Sequence, residues 1–437
     1  MLYPGATVTQ GQGLLAVMIF ALRHHLTGAA LSDLLGLMNL LVPNLVPASK
    51  YLFKKFFGDP AVSSVAHFYC EVCQHYIGKD PDDGSCSHCG TSFNTTTSAK
   101  RGNFFLAISL KDLLKDTLEN HGIDLIPKSI RHAHDNIKDL MDGKIYQKLL
   151  KKGKLAEDDL TLLWNCDGVP IFNSSNYSIW PLQFTINELP CIQRKENVMV
   201  AGLWFGPEKP RVDTFLKPFI DECCDLAQNP FEWKDRQDTT HSSKVFSLVC
   251  SSDAIARPLL RNCKQFNGEY GCDWCLHPGV VMPKGRGFIR SYVYDEEQQV
   301  KRTHNEFRDN AVKAVQSASP QNGVKGLSML FMLPLFNIVL GFVPDYMHSV
   351  LLGVCRQLMS LWLDTCNCMN PWYLGRKIAQ LDSRLLCLKP PKEIVRTPRS
   401  LLTRKFWKAS EWRAFLLFYS ARYPSTCIFA TLFLIDV

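Results

Sequence analysis

Little in this chain of 437 residues marks it for a membrane, an extracellular framework or a repeat array. There is no repeat of 20–50 residues, which excludes a solenoid or propeller. There is no low-complexity linker, so composition alone sets no part of the chain aside. Residues 1–12 are polar and glycine-rich and carry no basic cluster ahead of the first apolar stretch, unlike a secretory signal. Without that signal, seventeen cysteines, an odd number, do not suggest a disulfide framework. Close pairs among them point to metal instead. The most apolar long uncharged run, 326–344, contains Pro334 and Asn337 and reads as buried core rather than a span. The apolar run 427–437 is too short to cross a bilayer. No membrane association is expected.

Charge of either sign is also modest. There are 49 Lys/Arg against 41 Asp/Glu, a net +8. The excess is uneven. Residues 100–154 hold 12 basic against 7 acidic side chains, and residues 389–408 hold 7 against 1. Local basic stretches on a near-neutral body suggest a polyanion-binding surface, with solvated helix faces as the alternative. An apolar fraction of 46% is enough for a sizeable core in two or three domains, which excludes wholesale disorder.

Residues 14–45 read as two apolar helices broken at Thr27-Gly28. Their Arg23-His24-His25 patch suits a DNA-binding headpiece, although plain packing helices fit as well. Residues 104–118 and 137–150 also read as helical. From residue 160 the pattern turns α/β. Residues 161–166, 177–188, 197–205 and 244–250 read as strands, and 214–226 and 254–263 as helices, so a mixed sheet covered by helices is expected.

Three sites stand out. Cys70-x-x-Cys73 and Cys86-x-x-Cys89 lie twelve residues apart, the spacing of a closed four-cysteine structural zinc site. Gly84 and Gly90 suit the second knuckle, and His67, His75 and His88 are nearby substitutes. The second site is a pair of acids. Asp167 and Asp253 each follow a strand, where two carboxylates can hold divalent metal; Asp is also common at such positions. The third is Cys272-Asp273-Trp274-Cys275, half of a second zinc site, with His277, Cys263 or His348 as candidate partners and a reduced pair as the alternative.

These residues fall in blocks. Leu163-Trp164-Asn165-Cys166-Asp167-Gly168-Val169-Pro170, then Ser174-Ser175 and Ser178-Ile179-Trp180-Pro181, resemble the first-aspartate block of transposase-domain proteins of the CACTA (En/Spm) group of DNA transposons. Asn187-Glu188-Leu189-Pro190, Gly202-Leu203-Trp204-Phe205-Gly206, the block Asn267–Cys275 and the D-x-M-H block Asp345–His348 follow in order. Asp142-Gly143-x-x-Tyr146 and the cysteine knuckles fit upstream. The likeness covers roughly 14–419.

The resemblance implies an RNase H-like (DDE transposase) core. Asp167 and Asp253 would be its first two catalytic acids and would bind Mg²⁺ or Mn²⁺. It also implies a histidine pair and then a third acid, a glutamate. Neither is present: no histidine follows His348, and Glu411, the last glutamate, reads as helix surface. The core is therefore expected to be incomplete at its C-terminal side, with residues 421–437 unlike the family. A protein partner or a second copy is expected to cover it.

The expected organisation is a helical region at 1–59, a zinc ribbon at 60–97, a helical basic region at 98–158, the partial core at 159–388 and a basic segment with a divergent tail at 389–437. Lys392, Arg396, Arg399, Arg404, Lys405 and Lys408, with Trp407 and Trp412, are the candidate DNA-backbone contacts. The expected function is a transposon-derived, nuclear DNA-binding protein unable to cut or join DNA alone. The alternatives are an active DDE transposase whose C-terminal part is missing, or a domesticated zinc-binding interaction protein without a DNA role.

Overall fold

A computed structural model gives the tertiary structure. It describes residues 7–24, 26–42, 45–47, 51–53, 64–120, 125–128, 137–170, 176–285, 287–293, 300–394 and 396–420, together with Tyr3 and Ser49. The tail 421–437 and the Ser174-Ser175 pair lie outside the described residues. The chain divides into two compact units, 1–63 and 64–437.

In the first unit, helix α1 (Gln10–Arg23) and helix α2 (Gly28–Leu41) form the expected pair. Thr27 accepts the Ala30 amide at 3.1 Å and starts α2. Leu14, Val17, Ala21, Leu31, Leu35 and Phe53 bury together between them. Arg23 and His24 are exposed, and His25 lies outside the described residues.

The second unit is built on one large mixed sheet. Its strands are β1 (Ser64–Tyr69), β2 (Tyr76–Lys79), the short pair β3 (Gly84–Ser85) and β4 (Ser92–Phe93) beside the sheet, and β5 (Phe104–Ile108). Then come β6 (Leu160–Cys166), β7 (Val169–Pro170), β8 (Ser178–Ile186) and β9 (Met199–Gly206). A hairpin of β10 (Phe231–Lys234) and β11 (Thr240–Ser243) precedes β12 (Val245–Ser252). A second hairpin, β13 (Val280–Lys284) with β14 (Gly287–Ser291), precedes β15 (Phe342–Pro344). The sheet runs β15-β12-β6-β8-β9-β5-β1-β2, with β7 paired to β8. β6, β12 and β15 are parallel neighbours, and the other pairings are antiparallel.

Helix α3 (Leu110–Asn120) and helix α4 (Lys217–Gln228) cover the sheet. They bury Leu114, Leu118, Phe219, Ile220 and Cys223 in one core with Trp164, Phe184 and Trp204. Parallel strands buried on both faces need near-continuous apolar runs, and β6 and β12 have them.

Four expectations change. Residues 104–118 are not one helix: Phe104–Ile108 is a strand paired to β1 and β9, and Ser109 accepts the Asp112 amide at 3.2 Å to start α3. Five apolar residues in a row suit a buried strand as readily as a helix face. The cysteine segment is not a separate ribbon domain, because β1 and β2 extend the main sheet through β5. The stretch 137–150 is a 3₁₀ turn, Leu140–Asp142, followed by a helix over Lys144–Lys151. The boundary at 389 also disappears. Leu351, Met359, Leu385, Leu401, Trp407, Trp412, Phe415 and Tyr419 bury together as a helical layer spanning it.

An apolar cleft of about 650 Å³ opens against β12 and β15, lined by Leu248, Val249, Leu335, Leu340 and Val343. Among the described residues no helix is long and apolar enough to cross a membrane.

Candidate metal centre and strand-end acids

The four cysteines come together. Cys70 and Cys89 sulfurs lie 3.5 Å apart, and Cys73 and Cys86 sulfurs 3.7 Å apart. All four lie within 4.8 Å of one another. A disulfide would need about 2.05 Å. A zinc tetrahedron with Zn–S near 2.3 Å has an S–S edge of about 3.8 Å, so the set fits zinc.

Both knuckles are wound alike. The Gln74 amide donates to Cys70 O at 2.8 Å and the Cys70 amide to His75 O at 2.9 Å. The Gly90 amide donates to Cys86 O at 2.9 Å and the Cys86 amide to Thr91 O at 2.8 Å. The residue after each pair turns left-handed, at φ 53° for Gln74 and 73° for Gly90. Glycine does this freely, whereas Gln74 is held in place. Its side chain accepts the Arg211 amide at 2.9 Å and donates to Glu208 at 3.1 Å, and its carbonyl accepts the Thr214 hydroxyl. The Thr91 hydroxyl and amide bring the Cys89 thiol down to about 6, while burial pushes the Cys73 thiol up to about 12. The nearby histidines are spoken for or stacked. His67 Nδ1 pairs with the Tyr76 hydroxyl at 2.8 Å, and His75 stacks on His88.

The two strand-end acids lie at one end of the sheet. β6 and β12 are parallel neighbours, so Asp167 and Asp253 leave the same end of the sheet. β15 places Asp345 beside them, a contribution the sequence did not reveal. Burial pushes the Asp167 carboxyl above its usual range, Asp253 and Asp345 add to the rise, and the Gly168 amide and His348 oppose it. Gly168 is required there, since a Cβ would come within 2.6 Å of the Trp180 ring.

Each acid also serves its own turn. Asp167 accepts the Gly168 amide at 2.7 Å, Asp253 those of Ile255 and Ala256 at 2.8 and 2.6 Å, and Asp345 that of His348 at 3.0 Å. Among the described residues only the four cysteines are gathered for a single ion; the acids stand further apart.

His348 was a candidate zinc partner for Cys272 and Cys275. It bonds through Nδ1 to Asp345 instead and acts on Asp167, at the acid end of the sheet. His277 Nδ1 accepts the Gly279 amide at 2.8 Å. No third ligand joins Cys272 and Cys275 among the described residues. Ion pairs hold that loop. Helix α5 (Ala256–Arg261), which follows Asp253, sends Arg257 and Arg261 to Asp273 at 2.9 and 3.0 Å. Arg302 bonds the Cys272 and Tyr270 carbonyls at 3.0 and 2.6 Å. Sequence reasoning missed this clamp, although two arginines four apart on a short helix were a usable signal.

The basic segment is partly consumed inside the helical layer. Glu411 is 2% exposed rather than on a helix surface, and Arg399 bonds it at 2.6 and 3.1 Å. Arg404 bonds Asp364. Trp407 and Trp412 are buried against each other, 4.7 Å between ring centroids, and present no face for stacking. Lys392, Arg396, Lys405 and Lys408 remain exposed.

Fold and site together define a mixed α/β protein with a four-cysteine cluster able to hold a metal ion such as zinc. No protein-family model matches the chain, and no curated protein sequence matches it.

Proposed function

We propose that the chain is a transposon-derived DNA-binding protein on an RNase H-like core, related to CACTA (En/Spm) transposases, with structural zinc on Cys70, Cys73, Cys86 and Cys89. The observation that supports it most is the placement of Asp167, Asp253 and Asp345 at one end of the sheet. They come from three separate blocks of the resemblance and end three adjacent parallel strands. Carboxylates so placed are where a phosphoryl-transfer site would hold Mg²⁺ or Mn²⁺. The arrangement falls short of an active site in two ways. The acids do not gather around one ion position, and Glu411 is locked to Arg399. On this reading the chain binds DNA in the nucleus and does not cut or join it alone.

Purified protein tests this with a random-sequence duplex and a terminal-repeat substrate in Mn²⁺. A gel shift without sequence preference that fades with salt is expected, and no strand transfer. Strand transfer overturns the inactive reading. No shift in protein that retains zinc overturns DNA binding and favours an interaction protein.

A further inference from the structure

The apolar cleft against β12 and β15 leaves about 650 Å³ open. That lies within the range of small-molecule sites, roughly 300–1,000 Å³. Its lining combines Leu248 and Val249 of β12, Val343 of β15 and Leu340 of the segment between with Ile145 of the Lys144–Lys151 helix. Leu340 is 52% and Ile145 46% exposed, so apolar side chains of both groups stand in solvent.

Both sides of the cleft are anchored. The Asp142 carboxylate accepts the Lys138 and Asp139 amides, each at 2.8 Å. Arg194 grips the Asp139 carboxylate at 2.8 and 2.9 Å. Ahead of β15, the Asn337 side chain accepts the Val339 and Leu340 amides at 3.0 and 2.8 Å. The Gly341 carbonyl accepts the Cys250 amide at 2.8 Å. A Cβ on Gly341 would come within 2.6 Å of the Asn337 carbonyl, so this turn admits only glycine. The opening is thus a preformed site and not slack packing.

Charge selects the occupant. Lys138 and Lys144 also line the cleft, and both are exposed. Among the described residues neither has an ion-pair partner, whereas Asp139, the one acid in the lining, is taken by Arg194. A nucleic-acid backbone would match the lysines and not the apolar lining. A neutral apolar molecule would match the lining and leave the lysines unused. A protein partner needs a far wider face than a cleft of this size. We infer that the cleft binds one amphipathic anion of the class of a long-chain carboxylate, its chain against Leu248, Val249 and Val343 and its head held by Lys138 and Lys144. The inference is independent of the DNA-binding reading.

The test titrates the full chain with parinaric acid, a fluorescent long-chain carboxylate, and with its methyl ester. Wild type is expected to bind one equivalent of the acid and to bind the ester more weakly. Replacing both lysines, Lys138→Glu with Lys144→Glu, is expected to weaken the acid about tenfold, the worth of one charge-assisted hydrogen bond, and to leave the ester unchanged. Leu340→Trp fills the cleft and should abolish binding of both probes. Ile145→Glu places a carboxylate in the lining and should weaken the acid. Both residues are half exposed, so the fold is retained, and zinc content and circular dichroism check it. Equal affinity for acid and ester in wild type overturns the proposal, as does wild-type binding in both Leu340→Trp and Ile145→Glu. No binding to wild type also overturns it. A wild-type dimer that Leu340→Trp converts to monomer, without bound probe, overturns it in favour of a contact between copies.

Discussion

Tyr146 donates its hydroxyl to the buried carboxylate of Glu188 at 2.7 Å. The same carboxylate accepts the Thr161 amide at 2.8 Å and the Thr161 hydroxyl at 2.7 Å, at the start of β6. Residues that are 42 apart in sequence thus form one knot behind the central strand. A hydrogen bond to a charged group contributes about 1.5–3 kcal/mol. Tyr146→Phe is expected to lower unfolding free energy by about that much in urea titrations, with zinc content unchanged.

The four-cysteine cluster lies at the end of strands that belong to the main sheet. Cys70→Ser is expected to lose one zinc equivalent in native mass spectrometry. It is also expected to lower the melting temperature of the whole 64–437 unit, because β1 and β2 are hydrogen-bonded into that sheet. Unaltered zinc content overturns the metal assignment.

Asp167 has its pKa raised by burial and by Asp253. A group raised in the fold favours its protonated form there, so it contributes stability below its unfolded pKa and loses it as pH rises through the folded value. Asp167→Asn removes that loss. Its melting temperature at pH 7 should rise above that of the wild type, and the gain should shrink toward zero in acid. Calorimetry at both pH values checks it.

Burial pushes the Glu411 carboxyl up, but Arg399, the Lys408 amide and Arg396 bring it below its ordinary range. The sign is the reverse of Asp167. The stability is present above the unfolded value and is lost as pH falls through the folded one. Tryptophan emission should report loosening of the Trp407–Trp412 contact as pH falls through the acid range, whereas Glu411→Gln should show little pH dependence there.

Asp273 is the shared partner of Arg257 and Arg261, whose side chains are 6% and 1% exposed. Asp273→Ala leaves two buried guanidinium groups without their carboxylate. A loss of about 3–5 kcal/mol is expected in denaturant titrations.

Much of this was legible locally. The two helices of the first unit follow from an apolar period and a Thr27 cap. β6, β8, β9 and β12 follow from apolar, β-branched and aromatic runs. The cysteine cluster follows from spacing alone, because each C-x-x-C turn sets the distance between its own two sulfurs. What could not be read was partner choice. Phe104–Ile108 has a composition that suits helix or strand, and its neighbours β1 and β9 decided the outcome. Glu411 looked like a solvated helix residue because Arg399, twelve positions earlier, is its partner only in the fold.

The sequence by itself determined the pairing of cysteines in two close-spaced knuckles, the helical opening and the α/β character, since each depends on residues within a few positions of one another. Only the tertiary structure decided that Asp345 joins Asp167 and Asp253, that His348 turns toward them and away from Cys272, and that two arginines clamp Asp273. Those relations depend on which strands lie side by side, and strand order is chosen by burial across the whole sheet.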